Sequence, residues 1–96
     1  MTKFVRGDVV QTPFPGDASS SGDETQTALV VSPSDLEHAR GLLWVALVTK
    51  QENPAWRGDV PILDFAVAGT PPNLVIRTAR LATVPAESAK KIGRIS

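Results

Sequence analysis

The sequence predicts a mainly β domain, a small barrel or half-barrel with short helices. Two observations support this prediction: short runs rich in β-branched residues recur along the chain, and segments rich in Pro, Gly, Ser and Asp separate them. Strands do not alternate with long helices, as a parallel α/β sheet would require. The 96 residues leave room for one hydrophobic core, so residues 1–96 are expected to form a single domain.

The strands follow from their apolar and β-branched composition. They are predicted at 8–12, 27–32, 42–49, 59–67, 74–78 and 80–84. The run "LLWVALVT" at 42–49 is the strongest of these, and Trp44 is expected in the core. Pro61 has no backbone N–H, so it predicts that its strand lies at a sheet edge or contains a bulge.

Two short helices are predicted between and after the strands. In "PSDLEHARG" at 33–41, Ser34 is the expected N-cap, Glu37 completes a capping box and Gly41 ends the helix. A second short helix is predicted after Pro85.

The composition excludes several classes of function. Ten basic and ten acidic residues cancel, so any nucleic-acid site must be a local basic patch. The chain has no cysteine and one histidine, His38, which excludes a thiolate zinc site and a Cys–His catalytic pair. Neither a metal nor a cofactor is expected. No stretch is typical of a signal peptide or a membrane span, so a cytoplasmic protein is expected and adhesion through the two Arg-Gly-Asp copies is disfavoured.

The remaining polar residues indicate a site for single-stranded RNA. Cleavage of RNA without a metal needs a base for the 2′-hydroxyl, an acid for the leaving oxygen and donors for the phosphate. Threonine and arginine supply donors, and exposed aromatic residues stack on unpaired bases. The candidates lie at strand ends and on the turn between Pro54 and Pro61: Thr49, Lys50, Trp56, Arg57, Arg77 and Arg80.

Four segments together resemble the MazF/PemK (Kid-like) toxins of bacterial toxin–antitoxin systems. "RGDVVQTPFPGD" resembles the opening of the family, with Phe14 in a Pro-Phe loop, and "TALVVS" resembles the second strand. "VTKQENPAWRGDVPI" is similar to the strand end and turn that follow, and "AGTPPNLVIRTARLATVP" to the later Val-Arg segment. The resemblance covers nearly the whole chain.

The resemblance implies a fold, an activity and partners. The family fold is a small SH3-like barrel with short helices that forms a homodimer. Most members are endoribonucleases that cut single-stranded RNA selectively without a metal, and an antitoxin chain blocks the same groove. One relative with this fold, CcdB, instead poisons DNA gyrase.

The resemblance also assigns roles to individual residues. Thr49 matches the threonine that helps to hold the scissile phosphate, and Arg77 matches an arginine that acts as acid or phosphate ligand. Lys50 stands where serine is usual, and Ala79 replaces the acidic partner of that arginine. The implied RNA- or antitoxin-binding residues are Phe14, Thr27, Lys50, Trp56, Arg57 and Arg80.

The largest departure from the family pattern is at Gln26 and Thr27, which occupy the usual Arg-Pro pair. That arginine is the principal catalytic residue in much of the family, so Gln26 is the third catalytic candidate. A glutamine amide lacks the charge and the fork of a guanidinium. Losing one such donor typically costs about 10²–10³ in rate. Two other functions therefore stay open: a non-enzymatic binder on the same fold, either a gyrase poison or an antitoxin-binding relic, and an SH3-like peptide adaptor.

Overall fold

The computed structural model describes residues 2–13, 25–50, 57–70 and 73–95. In these parts of the chain, six strands form one antiparallel sheet in the order β4-β5-β3-β2-β1-β6. The strands are β1 (Asp8–Thr12), β2 (Gln26–Val30), β3 (Leu42–Lys50), β4 (Asp59–Pro61), β5 (Leu74–Pro85) and β6 (Lys90–Arg94). The mainly β prediction is confirmed, and Pro61 does lie in an edge strand.

The described helices are short. Helix α1 (Ser34–Arg40) joins β2 to β3, helix α2 (Phe65–Ala68) follows β4, and a 3-10 helix (Ala86–Ser88) precedes β6. Gly41 ends α1 in the left-handed conformation, as predicted. The central strands are buried on both faces because alternate residues of β3 enter two different apolar clusters. The first cluster, on one face, includes Val10, Ala28, Val30, Leu43, Val45, Leu47 and Val84; the second includes Val9, Ala46, Val48, Ile62, Ala68 and Ile76.

Helix α2 brings the two edges of the sheet towards each other. It follows edge strand β4 and packs on edge strand β6 at the other end of the strand order. The approach is so close that a Cβ at Gly69 would clash with the backbone of Ile92, and a Cβ at Gly93 would clash with that of Ala68. The second cluster is therefore enclosed by sheet and helix, which gives the barrel-like architecture.

Several local predictions are wrong. The strand expected at 59–67 ends at Pro61, and the chain then forms α2, because the short run Phe65–Ala68 followed by Gly69 is equally compatible with a helical turn and a left-handed C-cap. The helix expected after Pro85 is a single 3-10 turn followed by β6.

The capping box is also absent. Pro33 occupies the N-cap position without a side-chain hydrogen bond. The buried Glu37 carboxylate instead accepts hydrogen bonds from the backbone N–H groups of Lys3 (2.8 Å) and Phe4 (3.0 Å). Glu37 thus holds the N-terminal segment on the domain.

Trp44 and β5 also differ from expectation. Trp44 is 47% exposed rather than buried in the core, because it points to the sheet face at a position where no described element covers it. The strands predicted at 74–78 and 80–84 are one strand, β5, with a bulge. Leu47 pairs with Arg77 whereas Ala46 pairs with Leu81, so Thr78, Ala79 and Arg80 are extra residues in the β3–β5 register.

Candidate functional site

The register of the sheet brings the three catalytic candidates to one face. Thr12 pairs with Gln26, and Thr49 pairs with Val75. Continuing the β2–β3 register beyond its last pair, Ala28 with Leu47, places Gln26 across from Thr49. Because strand residues alternate between faces, these side chains share the face of the first apolar cluster. Thr12, Gln26 and Thr49 thus form a row of polar side chains at the margin of that cluster, called the polar row below. Gln26 and Thr49 are half-buried.

Arg77 lies on the same face, one row further along the sheet. Leu47 is its partner on β3 and Asp59 is its partner on β4. The Arg77 Nε donates to Asp59 Oδ1 (3.2 Å) and Nη2 donates to Oδ2 (3.1 Å). Both side chains are 4% exposed, so this two-point ion pair is shielded from water. The guanidinium that the sequence assigned to a phosphate is therefore engaged by a carboxylate of this chain.

The bulge in β5 contacts the turn that leads into β4. Thr78 Oγ1 donates a hydrogen bond of 2.8 Å to the backbone carbonyl of Gly58. Arg57, the residue before Gly58, is exposed, and Arg80, two residues after Thr78, is half-buried. Arg57, Arg77 and Arg80 therefore all lie on or next to the β4–β5 pairing, and among them Arg77 is bound by Asp59.

The other candidates lie elsewhere. Thr27 and Lys50 follow Gln26 and Thr49 along their strands, so they point to the opposite face of the sheet. Phe14 and Trp56 lie outside the described residues. His38 is exposed.

The described residues contain neither a side-chain group that could hold a metal ion nor a helix that could cross a membrane. Among these residues, no three or more His, Cys, Asp or Glu side chains are grouped so that they could hold a metal ion. No helix in the described ranges is long and apolar enough to cross a membrane.

Asp59 is the site residue that sequence reasoning missed. A local signal for it existed: Arg77 interrupts the apolar run "LVIRTA", and a buried arginine in such a strand requires a carboxylate partner. The identity of that partner depends on the β4–β5 register, which joins residues 18 positions apart.

The comparisons with known proteins agree with this fold. Residues 5–96 match the family described as PemK-like, MazF-like toxin of type II toxin–antitoxin system. A chain in the Form-II crystal structure of MazE–MazF from Deinococcus radiodurans is similar, with a TM-score of 0.69 and 18% identity over 97% of this chain and 80% of that one. In the Form-III crystal structure from the same organism the TM-score is 0.70 and the identity 19%, over 97% of this chain and 81% of that one.

At these identities the two crystal structures support the fold alone. No curated protein matches this chain in sequence. The family match spans nearly the whole sequence, and it includes both Arg-Gly-Asp-Val copies as well as Gln26, Thr49 and Arg77. This chain therefore belongs to the PemK-like, MazF-like family of toxins of type II toxin–antitoxin systems.

Proposed function

We propose that this toxin is an endoribonuclease that cuts single-stranded RNA selectively and without a metal. The observation that carries the proposal is the polar row, in which Thr49 and Gln26 lie on neighbouring strands at the margin of an apolar face. The buried Arg77 lies one row from Thr49 on the same face, and the turn that carries the exposed Arg57 lies beyond Arg77, because β4 runs from Asp59, opposite Arg77, to Pro61, opposite Val75. The arrangement offers neutral donors at its centre and cations at its edge.

The substrate itself supplies the nucleophile of this reaction. The 2′-hydroxyl oxygen of one nucleotide loses its proton to a base or to water and attacks the phosphorus of the adjacent 3′-phosphate. The bond to the 5′-oxygen of the next nucleotide breaks, that oxygen takes up a proton from an acid or from water, and a cyclic phosphate remains. The enzyme then needs donors for the non-bridging oxygens more than a second reactive group. The Thr49 hydroxyl and the Gln26 amide are the donors proposed here. Since a neutral amide replaces a guanidinium at 26, we expect the rate to be about 10²–10³ below that of an arginine-bearing site.

The test introduces an arginine on the face of the polar row and, as a control, on the opposite face of the sheet. Gln26→Arg is expected to raise cleavage of single-stranded RNA, measured with EDTA present, by about 10²–10³. Thr27→Arg adds the same side chain one residue away on the opposite face and is expected to give no gain. Thr49→Ala should remove most of the gain of Gln26→Arg, because the two donors act on one phosphate and are not additive. Equal activity of the two arginine variants would contradict the proposed site.

An antitoxin and a second copy of the chain are the proposed partners, in the cytoplasm, where RNA is available. The two similar crystal structures are of MazE–MazF, which supports a partner of the MazE kind. We propose that an acidic segment of this antitoxin covers Arg57 and Arg80.

Trp44 and Leu81, which is 63% exposed, line an apolar groove, and we propose that this groove forms the homodimer interface. Light scattering of Trp44→Ser against the wild type tests that assignment: a loss of dimer is expected.

A second function is favoured by the burial of Arg77. With Arg77 engaged by Asp59 and glutamine at 26, the polar row itself has little accessible positive charge. A non-enzymatic binder on the same fold would have this property. If Gln26→Arg stays inert on diverse RNAs while the wild type binds gyrase or its antitoxin, this second function is the correct one.

A further inference from the structure

The ion pair between Asp59 and Arg77 limits what Arg77 can touch. Both hydrogen bonds use the planar fork of the guanidinium, which is the arrangement that arginine uses for a phosphate. With 4% exposure on either side, a phosphate would have to displace the carboxylate and leave it buried without its partner. A buried charge left in this way is strongly unfavourable. Direct contact of Arg77 with RNA is therefore costly in this structure.

The same ion pair helps to hold β4, the shortest of the described strands, on the sheet. Strand β4 has three residues, lies at the edge and includes Pro61, which has no N–H to donate. Its ladder with β5 pairs Asp59–Pro61 with Val75–Arg77, and one further backbone hydrogen bond runs from the Ile62 N–H to the Leu74 carbonyl (3.0 Å). Side chains therefore supply a large share of its attachment: Asp59 binds Arg77, and one residue earlier the Gly58 carbonyl accepts the hydrogen bond from Thr78.

Arg57 is an exposed cation on the turn that the Asp59–Arg77 and Gly58–Thr78 contacts hold in place. It comes directly before Gly58, it is exposed, and within the described parts of the chain it has no hydrogen bond or ion pair. Among the other exposed cations near the polar row, Lys50 points to the opposite face of the sheet, and Lys91, opposite Val10, forms an ion pair with Asp8 (3.3 Å).

We propose that Arg57 is the residue of this face that contacts an RNA phosphate, and that Asp59 and Arg77 are positioning residues that hold its turn in place. This inference rests on the proposed function and assigns the charged part of its RNA contact. It makes Asp59 a positioning residue, and it gives Arg77 an indirect role in place of the direct one that the resemblance implies.

Salt dependence separates direct from indirect contacts. Each phosphate contact to single-stranded nucleic acid contributes about 0.7 to the slope of log affinity against log salt concentration. The probe is a single-stranded RNA oligonucleotide with 2′-O-methyl groups, which cannot be cut because the nucleophile is blocked. Its affinity is measured by fluorescence anisotropy from 50 to 200 mM salt, a window in which phosphate contacts change affinity strongly.

Three variants give different expected slopes. Arg57→Gln should lower the magnitude of the slope by about 0.7. Arg40→Gln, which removes an exposed arginine at the end of α1, is the matched control and should leave it unchanged. The double variant Asp59→Leu with Arg77→Met replaces the buried pair by apolar side chains of similar size, and it should leave the slope unchanged because packing still holds the turn.

Hydrogen exchange adds a readout of positioning. Asp59→Asn should speed exchange of the amides of residues 57–60, and the apolar double variant should restore their protection. A lower slope in the double variant with an unchanged slope in Arg57→Gln would overturn the inference and return the contact to Arg77. If the wild type binds no RNA under any of these conditions, the proposed function fails and the Arg57 assignment fails with it, whereas binding with an unaltered Arg57→Gln slope overturns the inference alone.

Discussion

The two Arg-Gly-Asp-Val segments, at 6–9 and 57–60, have the same local structure and different surroundings. In both, the glycine has a positive φ, 100° at Gly7 and 90° at Gly58, and the aspartate is the first residue of a strand. In both, a Cβ on the glycine would meet an oxygen, that of Ile95 at 2.9 Å or Thr78 Oγ1 at 2.6 Å. The repeated sequence therefore encodes a turn that starts a strand.

The aspartates and arginines of the two copies make different contacts. Asp8 accepts from the backbone N–H of Val5 (3.0 Å) and pairs with Lys91, which is 50% exposed, whereas Asp59 pairs with a buried arginine. The Arg6 Nε donates to the Val31 carbonyl (3.1 Å), whereas Arg57 has no such partner within the described residues. The first copy is satisfied by its own surroundings. Both arginines are exposed, but Arg57 has no hydrogen bond or ion pair within the described residues and lies on the side of the Asp59–Arg77 pair away from the polar row, which is the difference that the proposed function uses.

The aspartates should give the largest difference in stability. Asp59→Ala removes the carboxylate that binds the buried Arg77 guanidinium at two points, and we expect a loss of about 3–5 kcal/mol in the free energy of unfolding. Asp8→Ala loses a hydrogen bond and a pair whose lysine reaches water, and we expect about 1–3 kcal/mol. Urea denaturation of both variants at equal protein concentration measures the difference. Equal losses would mean that the Arg77 guanidinium finds other partners.

The glycines should give an intermediate effect and the opposite order. Gly7→Ala forces a Cβ against a backbone carbonyl, which cannot move away, whereas at Gly58 the obstacle is a side-chain hydroxyl that can rotate. Both substitutions also place alanine at a positive φ, which costs roughly 1–2 kcal/mol. Gly7→Ala should therefore lower the thermal midpoint more than Gly58→Ala. Gly41→Ala, at a positive φ with open space around it, is the control for the backbone cost alone.

The arginines should give the smallest difference in stability. Arg57→Gln removes no contact among the described residues and should change the free energy of unfolding by less than about 0.5 kcal/mol. Arg6→Gln loses its hydrogen bond to Val31, worth about 0.5–1.5 kcal/mol. Calorimetry of the two variants tests this order. A large loss in Arg57→Gln would show that the residue is structural and would remove the reason to assign it to RNA.

The sequence predicts the central sheet well, because the first three strands are continuous apolar or β-branched runs. It fails where several structures fit the same short pattern. Residues 59–67 alternate as a strand would, yet α2 forms within them, and Trp44 is exposed although its strand is the most apolar. These outcomes are decided by which neighbouring element covers a face, and no local pattern contains that information.

The candidate site likewise has residues that the sequence predicted and contacts that it did not. Gln26, Thr49 and Arg77 are identified by resemblance and are brought to one face by the register. The pair of Asp59 with Arg77 joins two strands through a bulge-dependent alignment, so it could not be deduced from spacing. Thr27 and Lys50 were expected in the same site, but strand alternation puts them on the face opposite the polar row.

Titration of the isotope-labelled protein with a short single-stranded RNA, followed by amide NMR, tests the central claim most directly. The claim is that the second Arg-Gly-Asp-Val copy borders the RNA site and the first does not. The predicted result is a set of saturable shift changes at Thr12, Gln26, Thr49 and residues 57–59, with residues 6–9 unchanged at the same RNA concentration. Shift changes concentrated at residues 6–9, or on the opposite face at Thr27 and Lys50, would contradict the account.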